Sequence, residues 1–356
     1  MQFCLIMRGL SFSDKLSWRI IAIVLTFSIV AQTVTAFVVT DGSISPLDWW
    51  RQSPRLLIYL TAIGLASFVM IYFVSRDAIN RMTRNEEKLK ATKEAAERME
   101  SDLNLARIIQ MSMLRKDFPP FLYAYLNPAK EVGGDLYDFN QKGDQLYFAI
   151  GDVSGKGLPA SLVMAITGAT LHVVADMNLS MGETLKRIND SFSATNTTGM
   201  FVTLFVARID LNTGRMDYCN AGHCPLLVIP PDAEPYLLKS KPNLATGMFE
   251  NFAYEEESVG FKQGTRIVAY TDGVTEAERT DQSQFGKERL LEWAKHIDFQ
   301  TTEQSIVESL CQSVCDFTDG NPQNDDITII SIKIPTNVET SLVGRTDNSQ
   351  AVSPPA

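Results

Sequence analysis

Two long apolar stretches open the chain. Residues 20–39 carry no charge and are interrupted only by threonine, serine and Gln32; residues 56–74 form a second uncharged run. At 1.5 Å per residue, each can cross a hydrocarbon core of about 30 Å as a helix. Residues 76–114 contain neither Gly nor Pro and predict one long helix. In it Leu89, Thr92, Ala96, Met99, Leu103, Ala106, Gln110 and Met113 recur at 3–4 spacing, the seam of a short coiled coil. A second stripe, Leu105, Ile108, Ile109 and Met111, would face another surface. From Arg115 the apolar runs shorten. Strands are expected at 121–126, 146–150, 201–209, 216–220, 226–229, 252–259, 266–270 and 326–334, and helices at 159–175, 181–195, 287–294 and 303–317. Strands and helices come in runs, which predicts an α+β fold. The polar stretch 337–356, ending Ser-Pro-Pro-Ala, reads as a disordered tail.

These patterns divide the chain into a tail with two transmembrane helices (1–75), a helical linker (76–114), a folded domain (115–336) and the tail. Basic residues orient the hairpin. Arg8, Lys15 and Arg19 precede the first span and Arg76, Arg81, Arg84 and Lys88 follow the second, whereas Arg51 and Arg55 in the connecting loop are balanced by Asp41 and Asp48. The positive-inside rule places both ends in the cytoplasm, with Trp49 and Trp50 near the outer interface. Met7 is an alternative start. A linker seam implies a homodimer; a passive spacer is the other reading of the same helix.

Charge is uneven. From Arg115 on there are 19 basic against 32 acidic residues, within a chain of net charge −10. Such a domain is unsuited to nucleic acid, whose phosphates demand Lys and Arg. The five cysteines (Cys4, Cys219, Cys224, Cys311, Cys315) lack zinc-type paired spacing, and three histidines are few for a His-based metal site.

Several acids stand at the ends of predicted strands. Asp152 closes the run 146–150 and leads into a turn, Ser154-Gly155-Lys156-Gly157, before Pro159 opens a helix. Asp272 follows the strand 266–270, Asp325 and Asp326 precede the last strand, and Asp135 and Asp138 lie in a Gly-flanked stretch, Gly133 to Asp138. A lone acid at such a junction is usually a cap or turn former. Converging carboxylates repel one another, and a hard divalent cation relieves that repulsion.

The ordered motifs GGDLYD (133–138), GDVSGKG (151–157), FVTLFVARID (201–210), NAGHCP (220–225), YTDGVTEA (270–277), FG (285–286) and DDIT (325–328) resemble the metal-dependent PPM, or protein phosphatase 2C-like, serine/threonine phosphatases, in particular the bacterial SpoIIE/RsbU type. The resemblance covers about residues 106–334. It implies two packed β-sheets flanked by helices, with two Mn²⁺ or Mg²⁺ ions, or three, at one edge. It gives Asp152 as the bridging ligand, the Val153 carbonyl, Asp135, Asp272 and Asp325 as further ligands, and Asp152 and Asp272 as the catalytic pair. Asp138 and Asp326 are secondary ligands or structural acids. Asn220 and His223 fall in a motif whose role is open between proton donation and loop architecture, and Lys156 is either a phosphate contact or a solvated turn lysine. The implied substrate is a phosphoprotein, an anti-sigma-factor antagonist of the STAS type, dephosphorylated at the inner membrane. A catalytically silent scaffold and a small-molecule phosphatase are the alternatives. Cys224 and Ala245-Thr246-Gly247 depart from the usual pattern without touching the acids.

Overall fold

The computed structural model describes residues 54–194, 196–197 and 199–336, together with Thr26, Ile29 and Val30. The first expected span, its connecting loop and the tail fall outside these residues or almost so. The chain divides into two compact units, Met1–Met99 and Glu100–Ala356. The second therefore begins ahead of Arg115, within the expected linker.

The second apolar run and the linker lie on one helix, α1 (Pro54–Met113), which begins in the first unit and ends in the second. Its N-terminal part is apolar and long enough to span a membrane. Where that part ends, Arg76 donates to the Tyr72 hydroxyl at 2.9 Å and lies over its ring. Further along, the seam residues Leu89 and Met99 are exposed.

The second unit is a sandwich of two five-stranded antiparallel sheets. The first runs β1 (Leu122–Asn127), β10 (Ile327–Lys333), β9 (Arg266–Tyr270), β6 (Leu227–Ile229), β7 (Tyr236–Leu237); the second runs β2 (Leu136–Lys142), β3 (Gln145–Val153), β4 (Val202–Asp210), β5 (Arg215–Ala221), β8 (Glu257–Gly260). Helices α2 (Leu158–Ala175) and α3 (Met181–Ser193) cover the second sheet. A short turn α4 (Asp272–Thr275) is followed by α5 (Gly286–Lys295) and α6 (Glu303–Thr318), which cover the first. This is the expected two-sheet architecture with helices outside. Its cause is visible in β3, whose core from Leu146 to Ile150 is buried on both faces, between the opposite sheet and α2.

Local chemistry sets the helix starts. Ser180 accepts from the Glu183 N–H while the Glu183 carboxylate accepts from the Ser180 N–H, a reciprocal cap for α3. Thr302 caps α6 through the Ser305 N–H. Helix α2 is uncharged and of membrane-spanning length, but it buries seven residues against the domain and belongs to the sandwich.

Two expectations change. Residues 252–256 are not strand; only Glu257–Gly260 pairs, on β5. The Gly-flanked stretch after Gly134, outside the expected strands, leads into β2, with Leu136 opposite Gly151 and Asp138 opposite Ala149.

Candidate functional site

The acidic junctions meet at one edge of the sandwich. Asp152 lies near the end of β3, opposite Thr203 on β4, and Asp135 immediately precedes β2. From the other sheet, Asp272 opens α4 after β9, and Asp325 and Asp326 lead into β10. Each sheet thus contributes carboxylates from strand ends, where the backbone is free to turn out of the ladder.

Asp135 is the most enclosed. Its Oδ2 accepts from Thr271 Oγ1 at 2.7 Å and Thr328 Oγ1 at 2.6 Å. Burial first, then the neighbouring Asp152 charge, hold its pKa well above the usual carboxylate range despite those donors. Asp152 is pushed up to about 7, by burial and by the charges of Asp272 and Asp325. Asp272 is raised as well, by burial and by Glu276 and Asp325. The group is short of positive charge. As the side chains stand, no three acidic, histidine or cysteine groups among the described residues converge on one ion-sized position. The carboxylates instead take protein partners: Asp325 Oδ2 lies 2.8 Å from Lys156 Nζ.

Asp326 secures the loop that carries Asp135. Its carboxylate accepts from the Gly134 N–H at 2.7 Å and the Ala129 N–H at 2.8 Å. Gly133 must be glycine, because a Cβ there would overlap the Asp326 carboxylate. The Val153 carbonyl faces this loop, 3.1 Å from where a Cβ on Gly134 would lie.

Of the other residues singled out in the sequence, Asp138 lies apart from this cluster, and His223 and Cys224 border it. Asp138 lies beneath α2, 3.5 Å from Arg115 Nε and 3.8 Å from His172 Nδ1. Its pKa is raised by burial, against the lowering effect of those two neighbours. Asn220 folds its own loop, donating to the His223 carbonyl at 3.0 Å and accepting from the His223 N–H at 2.7 Å. The His223 ring lies between the sheets, with Nδ1 3.0 Å from Thr203 Oγ1. Burial pushes its pKa down to about 4, so the ring is neutral at pH 7. That favours loop architecture over proton donation. Cys224, close to Asp272, has its thiol pushed up to about 12 by burial, which keeps it protonated.

Gln110, which its spacing assigns to the coiled-coil seam, is buried in the second unit. Its side-chain amide donates to the Gly133 carbonyl at 2.7 Å and accepts from the Gly133 N–H at 3.2 Å. Leu114 is buried beside it and Met111 packs against the core. Of the second stripe only Met111 packs there: Leu105, Ile108 and Ile109 are 58%, 66% and 56% exposed. A polar residue in an otherwise apolar helix face was the available signal. Gln110→Leu would leave two buried backbone groups of Gly133 unpaired and is expected to cost about 2–4 kcal/mol. Thermal unfolding of the full chain checks this, with Leu105→Gln as a control expected to stay within about 0.5 kcal/mol of the parent. Equal melting of both variants would remove Gln110 from the domain's support.

Thr203, Thr271 and Thr328, the hydroxyls packed among the acids, escaped the sequence reading. Thr271 and Thr328 directly adjoin motif acids or their strand, a pattern that could have identified them.

The family profile for Stage II sporulation protein E (SpoIIE) matches residues 142–335, more than half of the chain. Protein IcfG of Synechocystis sp. is 30% identical over 263 residues, covering 65% of this chain and 41% of IcfG. Phosphoserine phosphatase RsbU of Bacillus subtilis is 26% identical over 247 residues, covering 66% of this chain and 70% of RsbU. Against IcfG, then, the chain spans less than half of its relative's length. Among solved structures, the SiaA-PP2C domain of Pseudomonas aeruginosa superposes with a TM-score of 0.60 at 19% identity, over 67% of this chain and 98% of that domain. The PP2C phosphatase domain of SpoIIE from Bacillus subtilis, solved with a fragment of its regulatory domain, gives 0.54 at 21% identity, over 62% of this chain and 64% of that one. The two-sheet sandwich is therefore the PP2C fold, and the chain belongs to the SpoIIE family.

Proposed function

We propose that this chain is a membrane-anchored, metal-dependent phosphoprotein phosphatase that hydrolyses phosphoserine or phosphothreonine. The observation that carries the reading is the gathering of Asp135, Asp152, Asp272 and Asp325 at one edge of the sandwich, with Asp152 pushed up to about 7 by burial and by its neighbours' charge. The donor set fits a hard divalent ion. It offers carboxylate oxygens and the Val153 carbonyl, its nearby thiol is protonated, and its nearby imidazole is turned to Thr203. Asp152, Asp135, Asp272, Asp325 and Val153 would hold two Mn²⁺ or Mg²⁺ ions, which when bound supply Lewis acidity and an activated water. Thr271 and Thr328 orient Asp135, and Asp326 fixes the loop beneath it. Asp152 and Asp272, drawn from opposite sheets, would be the catalytic pair.

RsbU and RsbP, both relatives, are named phosphoserine phosphatases. That supports a phosphoserine substrate here, and the family resemblance points to a STAS-type anti-sigma-factor antagonist. Purified full-length chain should release phosphate from such a phosphoprotein only with Mn²⁺ or Mg²⁺, and much faster than from a small phosphate ester. Equal turnover of both substrates would favour a small-molecule enzyme; no release with either metal would leave a silent scaffold.

The apolar N-terminal part of α1 and the basic flanks support an inner-membrane hairpin with the catalytic unit in the cytoplasm. The exposed positions Leu89 and Met99 offer a seam for a homodimer. A reporter fused after Arg84 should signal the cytoplasmic side. Signal from the opposite side would overturn the hairpin.

A further inference from the structure

Lys156 occupies the turn between β3 and α2, beside the acidic edge. Its Nζ lies 2.8 Å from Asp325 Oδ2 and donates to the Asn324 carbonyl at 2.6 Å. Among the described residues no other lysine or arginine pairs with Asp135, Asp152, Asp272, Asp325 or Asp326. The amine is not locked in place: its side chain is 44% exposed. It sits between Gly155 and Gly157, whose φ angles are 93° and 78°. Around the Cβ positions of those glycines the space is open, save for Met200 Cε 3.7 Å from that of Gly155. The turn therefore has room to move, and lysine's four-carbon stem gives the ammonium reach.

An ammonium group and a divalent ion compete for the same Asp325 oxygen. Building on the phosphatase reading above, we propose that Lys156 is a two-position cation. In the metal-poor site it holds Asp325 and offsets part of the carboxylate charge. When an ion takes Asp325, the ammonium is released over the edge and binds the oxygens of the substrate phosphoryl group. It thereby supplies the positive charge that no arginine among the described residues brings to this edge. The ligand class is a phosphomonoester dianion, and Lys156 is a substrate-binding residue as well as a guard of one metal position.

The test is calorimetry on the full-length chain in lipid nanodiscs, first with Mn²⁺ alone and then with inorganic phosphate at saturating Mn²⁺. Lys156→Met keeps the stem and removes the charge; Lys156→Arg keeps the charge. Lys156→Met is expected to bind Mn²⁺ about threefold to tenfold more tightly, because its competitor is gone. It should bind phosphate about tenfold more weakly. Lys156→Arg should restore phosphate binding. Unchanged or weaker Mn²⁺ binding by Lys156→Met would overturn the guarding role, and unchanged phosphate binding would overturn the substrate role. If the wild-type chain takes up no Mn²⁺, the metal reading itself fails and this proposal with it, an outcome distinct from the other two. Melting in the presence of EDTA verifies that each variant is folded.

Discussion

Asp152→Asn is expected to lower metal-dependent phosphate release at least about a thousandfold, equivalent to about 4 kcal/mol of barrier. Asp152 stands between the carboxylates of both sheets, feeling Asp272 and Asp325 from one and touching Asp135 on the other. Asparagine preserves the shape and removes the charge on which a bridging ligand depends. The same substitution should not unfold the domain. In EDTA, removing one member of a mutually repelling group leaves the melting temperature equal to the parent's or raises it. Loss of activity together with a fall in melting temperature would indicate a structural role for Asp152. Wild-type turnover with Mn²⁺ would sink the metal reading.

The second large effect lies away from the site. Arg266, at the start of β9, is fully buried and its Nε donates to Glu303 Oε1 at 3.0 Å. The rest of its guanidinium is also occupied, reaching the Thr301 carbonyl at 2.6 Å and the Phe299 carbonyl at 3.0 Å. The other Glu303 oxygen accepts from Ser331 Oγ at 2.5 Å. Arg266→Met would strand a buried carboxylate and the backbone carbonyls of Asp298, Phe299 and Thr301, at a cost of about 3–5 kcal/mol. For a domain of this size that is a drop of roughly 10–15 °C in melting temperature. Arg266→Met combined with Glu303→Met should recover the part of the loss that comes from the stranded carboxylate, while the backbone carbonyls stay unpaired. A single variant that melts within about 2 °C of the parent would show that the pair contributes little. Because β9 runs directly into Asp272, the double variant's turnover also reports whether this anchor sets the site or only the fold.

Arg266 was not legible in the sequence, and Gln110 only as a polar residue in an apolar seam. Their partners, Glu303 with three backbone carbonyls and the Gly133 backbone, lie 23 or more positions away, and periodicity does not name them. The strands and helices around the site were legible because their apolar runs are short and bounded by turn residues. Strand β2 was hidden: Asp138, Asn140 and Gln141 lower its β-propensity, and only pairing with β3 makes it a strand. The motif acids could be picked out by their place at strand ends. Spacing could not reveal that Asp138, three residues from Asp135, turns to Arg115 and His172. In an extended segment, neighbouring acids need not serve one site.

The pairing of the first strand of the sandwich with the last has a consequence for how the protein is made. Leu122 lies opposite Ile332 and Asn127 opposite Ile327, so β1 waits for β10 before it has a hydrogen-bonded neighbour. Contacts between such distant segments carry a high loop-closure cost and slow folding. On the ribosome, the first sheet cannot close until nearly the whole domain has been synthesised, while α1 can form as soon as it leaves the exit tunnel. Asp325 and Asp326 arrive with that final strand. A nascent chain that stops short of β10 would therefore carry α1 without a completed acidic edge, so phosphatase chemistry becomes available only once that last strand has been made.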